Sequence, residues 1–292
     1  MVLYDLYNRP VTNLRISLYK GCNLNCIYCH REGEVNPSEM IGADTIDEII
    51  QTAVKFGIKS VKFTGGEPLL RKDIIDIISR VPSQIETSIT TNGIPLAPIA
   101  SDLKQAGLSR VNISVDSLNP DTYKRITGSN SLDLVLDGIS AALSAGLTPV
   151  KLNMVLLAGI NESEVDAFIN YIAGKRGLVL QIIELMESKH CPYHADVSAL
   201  EERIAEHATR IMTRKMHHRK KYCYQGADVE FVRPVHNSEF CLHCNRLRVT
   251  SDGKLKPCLL RSDNLIDIAG LHGAELEEAF RTAVSLREPY YH

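Results

Sequence analysis

No apolar run in the 292-residue chain approaches the ~20 residues that a helix needs to cross a bilayer. The opening residues, Met1-Val2-Leu3-Tyr4-Asp5, lack the basic segment and apolar stretch of a secretory leader, so a cytoplasmic protein with reduced thiols is expected. An excess of one charge is missing too. The formal net charge is −2, which gives no bulk attraction to nucleic acid or to an anionic membrane. Repeats of solenoid length and low-complexity segments are absent, which excludes a stacked array. What is present is an ordinary globular balance, 44% hydrophobic and 23% charged residues, in a length that suits one large α/β domain or one domain with an appendage. Six of the eight cysteines fall in two clusters with ligand-like spacing, a pattern that favours metal sites over disulfides.

The first cluster lacks a fourth cysteine. In Lys20-Gly21-Cys22-Asn23-Leu24-Asn25-Cys26-Ile27-Tyr28-Cys29-His30, the residues Cys22, Cys26 and Cys29 stand at Cys-x3-Cys-x2-Cys spacing. So short a loop cannot build a core around thiols, but it can wrap a metal centre. Iron–sulfur cubanes usually take four thiolates. With three, one iron keeps an open position, as at a catalytic zinc, where the open position does the chemistry. A zinc site completed by His30 is the competing reading. The second cluster, Cys241-Leu242-His243-Cys244 with Cys258 further on, again offers three thiolates. Its spacing divides evenly between another iron–sulfur cluster and a zinc ribbon completed by His243 or His236. Arg246 and Arg248, two apart, fall on one side of an extended chain. Two guanidinium forks beside a metal centre suit a triphosphate.

Strand and helix signals alternate from residue 14 to about 185. Strands are expected over 14–18, 60–64, 86–90, 110–114, 149–155 and 178–184. Helices are expected after an Asp44 or Thr45 cap, over 73–80 and 132–143, and after an Asn161 cap. Six βα units with right-handed crossovers give a parallel sheet, short of the eight of a closed barrel. The expected fold class is therefore α/β, a partial, open (β/α)6 TIM-type barrel. Polar and glycine-rich residues follow the strands at the edge where active sites sit. Among them, Thr64-Gly65-Gly66-Glu67-Pro68 lets a ligand approach the backbone closely, and Glu67 can accept from an ammonium group. Residues 1–187 read as the barrel and 188–292 as a C-terminal region carrying the second metal centre, with helices over 201–212 and 274–286. The basic run 214–221, with His217 and His218, reads as a solvated helix end or hairpin, with a phosphate or nucleic-acid patch as the alternative. Cys191 and Cys223 read as ordinary, partly buried thiols.

The cysteine loop, with Tyr28 before its last cysteine, and the Gly-Gly-Glu-Pro turn resemble the marks of the radical S-adenosylmethionine (SAM) superfamily. Further residues narrow the match: Asn13-Leu14-Arg15-Ile16-Ser17, Thr90 to Gly93, Asn112 to Asp116, Lys151-Leu152-Asn153, Glu184-Leu185-Met186, and the 241–258 block with Ser251-Asp252-Gly253. From Arg9-Pro10 to about Cys258 the sequence is similar to the GTP 3′,8-cyclase family of molybdenum cofactor biosynthesis. The resemblance implies two [4Fe–4S] clusters. Cys22, Cys26 and Cys29 would hold one, whose open iron chelates SAM, with SAM contacts from Tyr28, Gly66, Ser114 and Met186. Cys241, Cys244 and Cys258 would hold the other, whose open iron binds the guanine end of GTP. Arg15, Lys62, Thr90, Lys151, Arg246, Leu247 and Arg248 would line the GTP site. The implied reaction cleaves SAM reductively to a 5′-deoxyadenosyl radical that abstracts the 3′ hydrogen of GTP, and the ribose radical closes on C8. No side chain is assigned as a catalytic acid or base.

The implied partners are GTP, an electron donor such as ferredoxin or flavodoxin, and cyclic pyranopterin monophosphate synthase as the downstream enzyme. A homodimer is compatible with the sequence, and no membrane or nucleic acid is expected. Lys62 stands where many members carry Arg. The sequence ends Arg287-Glu288-Pro289-Tyr290-Tyr291-His292, without the Gly-Gly tail of many members, which leaves open what orders Arg15. The nearest alternative is another radical SAM enzyme with an auxiliary cluster, acting on a peptide or RNA. An electron-transfer or zinc-binding protein is the non-enzymatic one.

Overall fold

The alternation read from the sequence folds as a parallel sheet. The computed structural model describes residues 1–34, 40–186, 191–214, 216–234 and 237–289. The first part carries strands β1 (Asn13–Ser17), β2 (Ser60–Thr64), β3 (Glu86–Thr91), β4 (Arg110–Ser114), β5 (Val150–Leu156) and β6 (Leu178–Glu184). Between them lie helices α1 (Ala43–Lys55), α2 (Ile74–Ser79), α3 (Ala100–Gln105), α4 (Pro120–Thr127), α5 (Leu132–Ser144) and α6 (Val165–Ile172). There follow α7 (Ser198–His207), β7 (Arg210–Thr213), β8 (Lys220–Tyr224), β9 (Ala227–Val232) and α8 (Ser238–Leu242). The chain closes with β10 (Arg246–Val249), β11 (Lys254–Lys256), β12 (Ile266–Asp267) and α9 (Gly273–Ser285).

All strands join one 12-stranded sheet in the order β12-β11-β10-β1-β2-β3-β4-β5-β6-β9-β8-β7. From β10 through β1 to β6 and on to β9, every neighbouring pair is parallel. The outer strands at both margins pair antiparallel. The open, partial TIM-type architecture expected from the sequence is therefore present, and the C-terminal segment adds one parallel strand to each margin.

Three local expectations are corrected. Helix α7 ends at His207, and the stretch expected to continue it forms β7 against β8. Only Ile204 of α7 is buried, so no apolar face carries the helix further, and β-branched Ile211 and Thr213 suit a strand. Helix α1 is capped at Gly42, with Asp44 inside its first turn. Asn161 is not a side-chain cap. It accepts from the Leu157 N–H (2.8 Å) and donates to the carbonyls of Asp116 (2.8 Å) and Val155 (2.9 Å), tying the ends of β4 and β5 together.

The two faces of the parallel strands differ in chemistry. Leu14, Ile16, Val61, Phe63, Ile89, Val111, Ile113, Leu152, Leu180 and Ile182 are fully buried on one face. Each such side chain contributes about 1.5–3 kcal/mol. Helix α1 covers part of this face with Ile46, Ile49, Ile50 and Ala53. Helix α9 then packs on α1, with the Phe56 and Phe280 rings 6.1 Å apart. The other face is polar. Arg248, Arg15, Lys62, Ser88 and Arg110 follow one another in register across five strands, and Thr90, Asn112 and Lys151 form a second row. The interior of a closed (β/α)8 barrel is packed with branched aliphatic side chains. A polar interior is built to hold a polar ligand.

The margins of the sheet meet through side chains. The turn between β7 and β8 reaches α8, which leads into β10. The His217 N–H donates to the His243 carbonyl (3.1 Å), the His217 ring stacks on Phe240 at 3.7 Å, and the His218 ring stacks on His243 at 4.1 Å. The basic run is thus a hairpin, and its turn spans the open side of the barrel.

Candidate active site

The first cysteine loop leaves β1 and is clamped from two sides. On one side the Gly-Gly turn docks on its stem: the Gly66 N–H donates to the Tyr19 carbonyl (2.6 Å) and the Glu67 N–H to the Gly21 carbonyl (2.8 Å). A Cβ on Gly66 would lie 2.2 Å from the Gly21 oxygen, and one on Gly65 2.3 Å from the Tyr19 oxygen, so backbone packing alone demands both glycines. On the other side Asn25 and Ile27 donate to the carbonyls of Thr127 and Ile126 at the end of α4 (3.1 and 3.0 Å). The Tyr28 hydroxyl donates to Asp116 (2.7 Å), whose other oxygen accepts from the Val155 N–H (2.9 Å). Burial pushes the Asp116 carboxyl up to about 6.

Glu67 does not fit the role of ammonium acceptor. It is fully buried; one oxygen accepts from the Leu69 N–H (3.0 Å) and the Thr91 hydroxyl (2.7 Å), the other from the Asn92 N–H (2.6 Å). It braces the ends of β2 and β3.

All eight cysteines are free thiols. Burial raises the Cys26 and Cys22 thiols, and charge on Cys29 raises both further. The mutual charge interaction of Cys22, Cys26 and Cys29 puts the three thiols side by side, which fits an iron–sulfur cluster held by three thiolates. Burial lowers the His30 imidazole, and Glu32, Arg248 and Arg15 are among its charged neighbours.

The second set differs. Burial raises the Cys244 thiol, but Arg287, Arg246 and Arg9 together with the Arg246 N–H outweigh this and bring it below the ordinary value. Arg9 donates to the Cys241 carbonyl (2.9 Å) and Arg287 to the Cys244 carbonyl (2.6 Å). Asp5 holds both arginines, at 2.8 and 3.2 Å. Both ends of the chain thus brace this loop. His243 is turned to the Glu239 carbonyl (3.0 Å) and the His218 ring, and His236 lies outside the described residues.

The cation row lies along β10, β1 and β2. Burial, and then Arg110, Arg15, Arg246 and Lys151, push the Lys62 ammonium well below its ordinary range. Among the described residues no carboxylate pairs with it. Arg246 donates to Asn13 (3.2 Å), and burial with the positive charge of Arg248 and Arg15 lowers it to about 9. Two glutamates balance the flanks. Glu32 accepts from Arg15 (2.6 Å), Thr64 (2.9 Å) and Arg248 (3.0 Å). Burial alone would raise its carboxyl, but Arg15 and Arg248 bring it down to about 2. Glu230, fully buried, accepts from Lys151 (2.6 Å), Gln181 (2.9 Å) and Arg214. Among the described residues, buried Arg15 Nε, Asn112 Oδ1, Asn153 Oδ1 and Arg219 Nε have no hydrogen-bond partner, and buried polar atoms seldom stay that way.

The structure thus brings Arg15, Lys62, Arg246 and Arg248 together, with Thr90 and Lys151 on the neighbouring row. Leu247 is fully buried in the core, so its side chain stands on the far face from Arg246 and Arg248. Ser114, in register with Asn153, ends β4, and Met186 follows β6. Cys191 packs in a small cluster with Ile126, Leu157 and Leu185, against which Tyr28 rests; Cys223 is half-buried in β8. Asp5, Glu32, Glu230 and Arg287 carry no spacing signal and escape a reading by motif, while Arg9 and Asp116 fall within the stretches that carry the resemblance but receive no role from them.

A sheet of this topology, with a three-cysteine loop after its first strand, defines a radical SAM protein. The family model described as Radical SAM superfamily matches residues 16–172, and the one described as Molybdenum Cofactor Synthesis C matches residues 178–292. The chain is 52% identical to the probable GTP 3′,8-cyclase of Methanocella arvoryzae, over 99% of its own length and 95% of the relative's. It is 48% identical to that of Archaeoglobus fulgidus, over 99% of both. Among solved structures, Streptococcus suis SuiB bound to S-adenosylmethionine superposes with a TM-score of 0.67 at 17% identity, covering 94% of this chain and 69% of that one. Native anSMEcpe with bound AdoMet gives 0.67 at 16%, covering 96% and 84%. These two likenesses speak to the fold. The chain belongs to the radical SAM superfamily and, within it, to the family of its archaeal GTP 3′,8-cyclase relatives.

Proposed function

We propose that the chain is a radical SAM GTP 3′,8-cyclase acting in molybdenum cofactor biosynthesis, as the printed names of its full-length relatives indicate. The observation that carries this reading is the inward row Arg248, Arg15, Lys62. Its strands lead into one cysteine loop, after β1, and out of the other, before β10. Such a row suits a triphosphate: Arg forks match phosphate oxygens, and Lys62 and Arg246 add charge that no carboxylate of the described residues offsets.

Cys22, Cys26 and Cys29 would hold the cluster that binds SAM; Cys241, Cys244 and Cys258 would hold the second, with the guanine end of GTP against it. When bound, these groups supply an electron to cleave SAM and a radical able to take the 3′ hydrogen of GTP. The protein's own residues orient and enclose. Tyr28 in the first loop, Gly66 docked on its stem, Ser114 at the end of β4 and Met186 after β6 would be the SAM contacts. Arg15, Lys62, Arg246 and Arg248, with Thr90 and Lys151 beside them, would hold the triphosphate. Leu247 would take part through its backbone. The reaction needs a one-electron donor of the ferredoxin or flavodoxin kind, and cyclic pyranopterin monophosphate synthase would take the product onward. Among the described residues no helix is long and apolar enough to cross a membrane, and a cytoplasmic setting suits reduced thiols.

The test is a product assay. Anaerobically reconstituted protein should carry about eight irons, two cubanes' worth. With reductant, SAM and GTP it should release 5′-deoxyadenosine and a cyclised GTP, resolved by mass spectrometry. Deoxyadenosine formed equally with and without GTP, with no cyclised nucleotide, rejects the reading and leaves a radical SAM enzyme for another substrate.

A further inference from the structure

Two glutamates in the polar interior, Glu230 and Glu32, each hold a set of cations, but they are built differently. Glu230 sits in the middle of β9, fully buried, with Lys151, Gln181 and Arg214 as donors and Arg219 at 3.8 Å. A strand residue with that many partners has nowhere to go. Glu32 sits on a single turn of 3-10 helix, Arg31–Gly33, just after the first cysteine loop. Arg31 and Glu32 both have positive φ, 48° and 54°, a conformation that strains non-glycine residues. The turn is tethered elsewhere: the Gly33 carbonyl accepts from Lys256 (2.7 Å) and Glu34 from the Ser251 hydroxyl (2.6 Å). Glu32 can therefore swing outward while the turn stays attached. Its side chain is already 13% exposed.

The position that Glu32 fills is an anion position. One oxygen takes Arg15 and Thr64 and the other takes Arg248, the donor set that two oxygens of a phosphate would use. A carboxylate and a phosphate cannot share those N–H groups. We propose that Glu32 is a built-in stand-in for one phosphate of the substrate, occupying the place between Arg15 and Arg248 in the free protein and yielding it when a polyphosphate binds. The inference takes from the proposed function only the chemical class of the ligand, a nucleoside polyphosphate.

A tethered carboxylate competes at an effective concentration of millimolar or above. A single phosphate, with nothing else to hold, does not displace it. A triphosphate that also engages Lys62 and Arg246 does. Glu32 thereby keeps the two arginines ordered without substrate and sets a threshold against monoanions and nucleoside monophosphates.

The experiment is calorimetric titration of cluster-loaded protein, under anaerobic conditions, with inorganic tripolyphosphate and with inorganic phosphate. Glu32→Gln should bind tripolyphosphate at least tenfold more tightly than wild type, and should bind inorganic phosphate at millimolar concentrations where wild type shows none. Glu32→Asp, whose shorter side chain reaches the arginines less well, should fall between the two and guards against a poorly folded Gln variant. Glu230→Gln should not tighten binding. Affinity in Glu32→Gln or Glu32→Asp equal to or weaker than wild type, with normal iron content, would mean that Glu32 is a fixed brace and would overturn the proposal. Tripolyphosphate carries no guanine, so failure of the GTP product assay and failure of this titration are separate results.

Discussion

Arg15 and Arg248 stand opposite each other on adjacent parallel strands and share one carboxylate, Glu32, at 2.6 and 3.0 Å. Two guanidiniums in register on neighbouring strands repel. Here the repulsion is offset by a residue from a third segment. This also answers what orders Arg15 among the described residues: Glu32, with Thr64 at 3.3 Å.

Arg248→Lys replaces a two-pronged donor with a point charge. GTP affinity should fall about tenfold or more, roughly 1.4 kcal/mol. Iron content and the slow cleavage of SAM without substrate should persist. Titration calorimetry beside a deoxyadenosine assay checks this; unchanged affinity removes Arg248 from the nucleotide site.

Gly66→Ala sets a methyl group 2.2 Å from the Gly21 oxygen, at the stem of the first cysteine loop. The loop must shift while the second set of cysteines is untouched. Iron should drop from about eight to about four per chain, with near-normal far-ultraviolet circular dichroism. Full iron loading would show that the turn can yield.

Arg287→Ala is the mirror experiment. It removes the donor to the Cys244 carbonyl and the first cation holding the Cys244 thiol down. The second cluster should be lost and the first kept, so iron again falls by about half, but SAM cleavage without GTP survives. Loss of that activity as well would mean the variant has damaged more than its own loop.

Glu230→Ala leaves Lys151, Arg214 and Arg219 facing one another without their shared anion. Breaking a buried ion pair from one side costs about 3–5 kcal/mol. The melting temperature should fall by roughly 10 °C. A shift within about 2 °C would mean that water reaches these cations freely.

Asp116 gives a pH signature. Burial raises its carboxyl from 3.8 to about 6, so between those values the folded chain keeps a proton that the unfolded chain has released. Its contribution to stability is greatest below about pH 4, falls as pH rises through about 6, and is level above, a total change of about 3 kcal/mol at most. Asp116→Asn should remove that slope, so relative to wild type it gains stability between pH 4.5 and 7. Urea midpoints at the two pH values measure it; parallel pH profiles for the two proteins would place the titration elsewhere.

The strands from β1 to β6 are legible in the sequence to within a residue or two because each couples an apolar run to a following turn. The margins are not. β9 and β10 are parallel neighbours of β6 and β1, yet they are reached through a hairpin and a cysteine loop, so no βα rhythm announces them. The six cysteines proposed as cluster ligands stand out by their spacing. Glu32 and Arg248 are 216 residues apart, Lys151 and Glu230 are 79 apart, and a lone glutamate carries no period. Such pairs come into view only once the sheet order is known. The alternation of charged with apolar residues in β1, β2 and β5 was nevertheless a signal, since parallel strands covered on both faces usually read as continuous apolar runs.

The open side of the barrel has a mechanical meaning. Parting any two neighbouring parallel strands breaks a ladder of backbone hydrogen bonds. Among the described residues, parting the margins breaks one such bond, from His217 to His243, two stacked ring pairs, the contact of Arg246 with the Met216 sulfur (3.6 Å) and that of His218 with Glu239 (3.2 Å). Stacked pairs contribute about 0.5–1.5 kcal/mol each beyond their burial. The molecule therefore has a line of weakness along its wall, and thermal motion will breathe there, moving the loop of Cys241 and Cys244, which carries His243, before it disturbs the parallel strands.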